Sequence, residues 1–541
     1  MKYFLPFWPG DDVYPRFNPW KDTWDSDDKQ LRIWEVFPKP PIDGVLVSLV
    51  NINGTKFLRE EANAKGIKEA LGFYGPIMGD CGAYSYVNER NTPNPIETLK
   101  VYKKLGFDLC VTVDHLVVNT IKVSKDKSRK LTEDEKYDRW ELTLKNAEKM
   151  FEEVKKGEYD GISLIGVTQG MGPDTYTEGV RRLLECGFDY IGLGGLVRRT
   201  TKFIERVLTE VGSEIKRELR NRNFKKGFSP RIGVHLFGIA RENLFDKMVE
   251  SGVTSFDSAS PLRKAWTSSI GNYMLNRTLY TAIRIPYPRD DEEILFNKVW
   301  ENLRRFEEGS LNSDELIENL KSYAPQKITS RENEIKKTLL EKPWEKCDCP
   351  LCKEIGLHIC IFRGCERNMR RGFHNVYHFY NLVRETVPRI LALTNCSKKK
   401  DPEANLLPAY KRYMPSSPFK TFWKNVYDLP VEVGVLSGKY MLITWHTLIP
   451  DYDDILSTEK IPFAVKDLVN QLEFYDKVFF IGLGAYREAV KQAAEILSVP
   501  VEVFPKLELS RGKLDIIEYN RQMHHFREAI EKEIDSYPIF K

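Results

Sequence analysis

The amino-acid sequence predicts an α/β protein: a (β/α)8 TIM-like barrel, then a cysteine-rich subdomain inserted in or appended to it, then a C-terminal α/β accessory domain. Three observations predict this. Short apolar runs alternate with amphipathic stretches through the first 300 residues. Five of nine cysteines and three of eight histidines crowd into one segment from Cys347, and a new strand–helix alternation begins near residue 390. The expected boundaries are 1–300 for the barrel, 301–390 for a helical connector with the cysteine-rich subdomain, and 391–541 for the accessory domain.

The barrel strands are read in order. GVLVSLVNI starts at Gly44, GPIMGDCGAY at Gly75, DLCVTVDHLVV at Asp108 and GISLIGVTQG at Gly161. DYIGLGGLV follows at Asp189, RIGVHLFGI at Arg231 and SFDSASP at Ser255, with TLYTAIRIPYP at Thr278 expected as the eighth. Charged, amphipathic segments such as NPIETLKVYKKLG and YTEGVRRLLECG separate them. Apolar, β-branched runs divided by helices form βαβ units and a buried parallel sheet. No G-x-G-x-x-G follows the first of these runs, which argues against a dinucleotide-binding sheet.

Several runs end in a polar or glycine residue: Asp80, Asp114, Gln169, Gly194-Gly195, His235 and Asp257. In a parallel barrel such ends converge on one mouth, where active sites sit. One aspartate there can be a helix cap or an Asx turn. Three carboxylates, a glutamine and a Gly-Gly at successive ends predict a site. An ionised carboxylate can attack an electrophilic carbon while a second, its pKa shifted by its surroundings, moves protons. A glycosidic carbon suits that pairing, because its transition state resembles an oxocarbenium ion. The amide of Gln169 and the close backbone approach at Gly194-Gly195 favour a flat, hydrogen-bonding heterocycle, as in a nucleoside.

Composition narrows the class. No run approaches the ~20 apolar residues needed to span a bilayer, so no membrane role is expected. The opening MKYFLPFWPGDD has neither a basic leader nor a long apolar run, which leaves the cytoplasm as the expected compartment. There an odd cysteine count points to metal binding rather than disulfides. Net charge is +4, but RRTTKFIERVLTEVGSEIKRELRNRNFKKGFSPR from Arg198 and RGCERNMRR are strongly basic. Such runs are either phosphate-binding footprints or solvated helix faces.

Cys347, Cys349 and Cys352 form C-x-C-x-x-C, a spacing suited to thiolate ligation of Zn²⁺. The fourth ligand is His374 or His378, four apart on one helix face. Cys360 and Cys365 open a competing reading, an all-cysteine zinc or iron–sulfur site, although their apolar setting suits buried thiols. Four protein ligands close a zinc shell and make the metal structural. Arg367, Arg370 and Arg371, carried by that subdomain, are expected to face a nucleic-acid backbone, where the planar guanidinium pairs with phosphate oxygens. Beyond it, RILALTNCSKKK, PVEVGVLSGKYMLI, DKVFFIGLGAYREAVKQAAEIL and VPVEVF are read as the accessory domain.

The motifs resemble those of the tRNA-guanine transglycosylase superfamily. GDCGAYS is similar to D-S-G-G-F-Q, GVTQG to G-x-x-Q-G, GFDYIGLGGLVRR to G-F-D-G-Y-x-I-G-G-L, and GVTSFDSASPLRKAW to the nucleophile segment F-D-C-x-x-P-x-R-x-A-R. CDCPLC followed by HN resembles the zinc motif, which favours His374 over His378. The resemblance covers roughly residues 40–385, and the opening segment, the length and the extra C-terminal domain look most like the DNA-modifying DpdA branch.

The resemblance implies a glycosyltransferase, specifically a pentosyltransferase, that replaces guanine in DNA with a 7-deazaguanine base. It implies Asp257 as nucleophile, through a covalent aspartyl-deoxyribose intermediate, and Asp80 as general acid/base. It also implies a base pocket of Asp114, Gln169, Gly194, Gly195 and Leu196, with Tyr84 as an aromatic wall. Structural Zn²⁺ and no nucleotide cofactor follow, with DNA and a free 7-deazaguanine such as 7-cyano-7-deazaguanine as partners, alongside accessory proteins of a DNA-modification system. Ala83, Tyr84 and Ser85 replace the family's Gly, Phe and Gln, and Ser258 stands where its cysteine follows the nucleophile. His235 has no counterpart role. The alternatives are a tRNA-guanine transglycosylase and a non-catalytic, zinc-stabilised nucleic-acid-binding protein.

Overall fold

Eight parallel strands close into a barrel in chain order, the last pairing with the first. They are β1 (Lys2–Pro6), β2 (Gly44–Ser48), β3 (Ile77–Asp80), β4 (Leu109–Val111), β5 (Ser163–Thr168), β6 (Tyr190–Leu193), β7 (Gly233–Leu236) and β8 (Val253–Asp257). This computed structural model describes residues 1–124, 126–226, 231–289, 291–505 and 516–540. The seven runs from Gly44 to Ser255 each contribute a strand.

The eighth strand is not where the sequence placed it. KYFLP at the start of the chain closes the barrel, with Phe4 opposite Asp257 on one side and Gly44 on the other. Thr278–Tyr280 instead pairs antiparallel with Tyr273–Leu275 across a turn at Asn276, whose φ is +52°. A left-handed residue two positions before Thr278 is hairpin chemistry. The true strand carries only the three-residue apolar run Tyr3-Phe4-Leu5 before Pro6 and the breaker Trp-Pro-Gly, too short to stand out as a strand.

Phe4, Leu46, Met78, Leu109, Val111, Ile165, Val167 and Tyr190 fill the barrel interior. Flanking helices set the strand ends. Helix Pro95–Leu105 is capped by Asn94, which accepts from Ile96 and Glu97 N–H groups at 2.9 and 3.3 Å, and it stops at Gly106 with φ +78°. Its Tyr102 packs onto Gly79, where a Cβ would sit 2.6 Å from the ring. Glycine there lets helix and strand approach closely, one residue before Asp80.

The chain divides into two compact units. The first combines Met1–Phe7, Asp43–Ser258 and Arg384–Lys541; the second combines Trp8–Ile42 and Ala259–Val383. Within the first unit lies a five-stranded sheet of β9 (Ile390–Asn395), β10 (Glu432–Ser437), β11 (Met441–Thr444), β12 (Lys477–Ile481) and β13 (Val501–Phe504). Its order is β11-β10-β9-β12-β13, parallel except for β10–β11, and it has its own apolar core. The backbone of Leu448 bonds that of Gly161 and Ile162 at 2.7 and 2.8 Å, tying this region to the barrel. The second unit is mainly helical, with Glu293–Glu307, Ser313–Tyr323 and Glu332–Glu341 among its helices. Among the described residues no helix is long and apolar enough to cross a membrane.

Candidate active site and metal centre

Asp80, Asp114, Gln169, Gly194, Gly195, Leu196 and Asp257 all lie at or just beyond the carboxyl ends of barrel strands in the first unit. Asp80 ends β3, and its carboxylate accepts from Gly82 N–H at 3.0 Å. Gly82 has φ +82°, and a Cβ there would meet Ser48 Oγ and Val50. Only glycine therefore makes this turn without strain. Burial, then the negative charge of Asp114, raises the Asp80 carboxyl to about 7.

Asp114 is buried and accepts from Gln169 Nε2 on one oxygen and from Cys81 Sγ, at 3.3 Å, on the other. Burial raises its carboxyl above the ordinary value despite both bonds. Tyr86 completes the cluster, donating to the Asp114 carbonyl at 2.8 Å. Gln169 is 1% exposed, and its Oε1 has no partner among the described residues. The carboxamide lies against Gly194 and Gly195, where any Cβ would collide with it. Tyr176 donates to Gly194 O at 2.7 Å and holds that backbone in place. Leu196 is fully buried. An unpaired acceptor beside bare backbone is the kind of surface that reads a planar base by hydrogen bonds.

Asp257 ends β8 and is 7% exposed. Its Oδ1 accepts from Gly238 N–H at 2.9 Å and lies 3.2 Å from His235 Nε2. Tyr84 stands in the electrostatic field of Asp257, Asp114, Asp80 and Arg198, with its ring exposed. Sequence reasoning missed Tyr86, Tyr176 and Gly238. Tyr86 lies in the turn five residues beyond Cys81, and Tyr176 in the first turn of the helix Pro173–Cys186 after Gln169; motif reading passes over both.

In the second unit, Cys347, Cys349, Cys352 and His374 are buried with their ligand atoms all within 4.8 Å of one another. His374 Nδ1 lies 3.3 Å from Cys349 Sγ and from Cys352 Sγ. Its Nε2 faces the Met274 carbonyl at 2.6 Å, which fixes the Nε2–H tautomer and frees Nδ1 for a metal. Tyr273 stacks on the ring at 4.1 Å between centroids. His378 Nε2 approaches Cys347 alone of the three thiols, at 3.1 Å. Three soft donors and one imidazole at this spacing can hold a metal such as zinc.

The three arginines need correcting. Arg367, Arg370 and Arg371 are 0%, 1% and 0% exposed. Arg367 pairs with Asp22 and reaches Pro19 O; Arg370 bonds Glu354, Glu366 and Tyr14 O. Arg371 is spent on the carbonyls of Ala265, Ile359 and Ile361. They brace the unit from within and offer nothing to a phosphate. Their spacing carried the signal: Arg367, Arg371, His374 and His378 form one helical stripe, so a buried ligand on it buries the stripe. The basic run from Arg198 becomes the helix Thr201–Lys226; its residues 227–230 lie outside the described residues.

A family model described as queuine tRNA-ribosyltransferase matches residues 45–392. A DNA-guanine transglycosylase of Salmonella montevideo is 29% identical over 426 residues, covering 72% of this chain and 97% of the relative. A tRNA-guanine(15) transglycosylase of Methanosarcina mazei is 28% identical over 236 residues, 42% of this chain and 43% of that one. A queuine tRNA-ribosyltransferase of Thermotoga petrophila is 30% identical over 221 residues, 37% of this chain and 53% of that one. The family match runs from β2 through the whole carboxylate-lined mouth and the metal cluster, and on that ground the chain belongs to the queuine tRNA-ribosyltransferase family and is a base-exchange glycosyltransferase.

Proposed function

We propose that this chain is a DNA-guanine transglycosylase that replaces guanine in DNA with a free 7-deazaguanine base, such as 7-cyano-7-deazaguanine. The observation that carries the chemistry is Asp257, held by backbone and imidazole at a mouth that also contains Asp80 and Asp114. The choice of DNA is supported by similarity to the Salmonella montevideo protein over 97% of its length. In this reading Asp257 attacks C1′ and holds the sugar while guanine leaves. Asp80, with its carboxyl near 7, gives a proton to the departing base and takes one from the incoming base. Asp114, Gln169 and the Gly194–Leu196 backbone read the heterocycle, with Tyr84 as a wall.

The metal set suits zinc. Three thiolates and an imidazole fill its tetrahedral shell, and the bound ion would brace the second unit. All nine cysteines are free, which suits a reducing cytoplasm. Since the three arginines face inward, contact with the nucleic-acid backbone falls to other residues. A second reading, exchange in tRNA, is favoured by the Methanosarcina mazei and Thermotoga petrophila relatives.

The test incubates the protein with 7-cyano-7-deazaguanine and either DNA or tRNA, then digests each polymer and weighs the nucleosides. A modified deoxynucleoside made by the wild type and not by Asp257→Asn is expected. Modified tRNA alone would move the reading to the second substrate. Because a paired guanine must be extruded before reaction, single-stranded or mismatched DNA is expected to react faster than intact duplex.

A further inference from the structure

Polar side chains inside an apolar barrel are costly unless each finds a partner. His235, Ser255 and Tyr190 are 0%, 0% and 2% exposed, and they form one line. Tyr190 Oη lies 2.5 Å from Ser255 Oγ, Ser255 Oγ lies 2.7 Å from His235 Nδ1, and His235 Nε2 lies 3.2 Å from Asp257 Oδ1. One proton arrangement satisfies every link. The Tyr190 phenol donates to Ser255, the Ser255 hydroxyl donates to Nδ1, and the imidazole keeps its proton on Nε2, facing the carboxylate. Phe4 and Phe237 pack against the ring at 6.0 and 4.4 Å between centroids and restrict its rotation.

Asp257 Oδ1 thus takes two donors, Gly238 N–H and His235 Nε2–H, while Oδ2 has no protein donor among the described residues. We propose that the Tyr190–Ser255–His235 line is a positioning relay that pins Oδ1 and leaves Oδ2 as the attacking atom. This rests on the exchange reaction above. In its first half the Oδ2–C1′ bond forms as C1′–N9 breaks; the electron pair leaves on guanine N9, which takes its proton from Asp80. Oδ1 becomes the ester carbonyl, still accepting from His235 and Gly238. In the second half the incoming base passes its N9 proton to Asp80 and attacks C1′. The Oδ2 pair then returns to a carboxylate whose charge the same two donors stabilise. Donors of this kind favour the carboxylate as leaving group, so the relay acts on turnover and not on substrate binding.

The experiment compares His235→Leu, His235→Gln, Ser255→Ala and Tyr190→Phe in the full chain, by burst guanine release, steady-state exchange and covalent adduct on denaturing gels. His235→Leu is expected to lower kcat by about 10²-fold, the usual loss for one preorganised donor, with KM nearly unchanged and adduct accumulating. His235→Gln restores an N–H donor and should recover part of the loss. Ser255→Ala should lose less than His235→Leu, and Tyr190→Phe least. Wild-type kcat in His235→Leu overturns the relay, as does a loss that tracks melting temperature or appears in KM alone. Should the leucine variant not fold, the near-isosteric Ser255→Ala and Tyr190→Phe carry the test, and unchanged kcat in both overturns the proposal. Asp257→Asn separates the two levels: if it still exchanges bases, the underlying reaction is wrong, whereas a dead Asp257→Asn beside a fully active His235→Leu removes the relay alone.

Discussion

Asp80 shows how one residue links chemistry to stability. Its carboxyl is raised to about 7 by burial and by Asp114, against an ordinary value near 3.8. Between those values the folded protein binds a proton that the unfolded chain releases, so stability falls as pH rises through the window. Asp80→Asn removes that penalty. Its gain in melting temperature over wild type should therefore be small at pH 4 and largest at pH 8, as thermal melts across pH would show. With Asp80 as the acid of the proposed reaction, guanine release in a single turnover should also decline above pH ~7. Gly194→Ala or Gly195→Ala would drive a methyl into Gln169; loss of exchange with a preserved fold is the expected result, read by activity beside circular dichroism. At this scale the carboxylates, Gln169 and the glycines were legible because each ends an apolar run. The supports Tyr86, Tyr176 and Gly238 were not, because their role depends on loop paths that no local pattern encodes.

At the scale of elements, His374 of the metal cluster and the three arginines belong to one helix, Gly364–Thr386, while the cluster's cysteines precede it. Metal binding to such a set contributes folding energy directly. Chelation, or Cys349→Ser, is therefore expected to unfold the second unit and release Arg367, Arg370 and Arg371 to solvent, seen as a loss of helical signal and a new protease-sensitive region. Re-addition of zinc after chelation should restore both. The C-x-C-x-x-C spacing made the cluster readable in one dimension. The arginines misled because charge alone suggests solvent, and the paired carboxylates Asp22, Glu354 and Glu366 come partly from distant segments. Likewise β1 was invisible as a barrel strand: it is five residues long and separated from its partner β2 by a stretch belonging to the other unit.

At the scale of the whole molecule, the first unit is held by a buried charge cluster. Asp43, wholly buried, accepts from Tyr3 N–H at 2.7 Å and pairs with Arg384 and Arg389 at 3.1 and 3.2 Å. Glu432 of β10 pairs with Lys2 of β1 at 2.5 Å. Burial pushes the Glu432 carboxyl up, but Lys2 and Arg389 outweigh it and hold the group at about 2. A depressed carboxylate contributes stability above its unfolded pKa and loses it as pH falls through the folded one. Acid unfolding of this unit should thus set in below pH ~4.5 and be steep towards pH 2. Asp43→Ala takes a buried carboxylate away from Arg384 and Arg389, leaving them Asp476 and Glu432, and is expected to cost about 3 kcal/mol, measured by denaturant titration. None of this network could be read from the sequence, because its members are drawn from residues 2 to 432 and meet only after folding.

The closing of the barrel by β1 has a consequence in time. During synthesis β1 must wait for β8, Val253–Asp257, before it has both neighbours. At 5–20 residues per second that wait is on the order of 10–50 s. Through that interval β1 keeps one bare backbone edge, and bare edges recruit other chains. Asp257, the nucleophile of the proposed reaction, lies on the strand that ends the wait, so that carboxylate and the seal of the barrel arrive together.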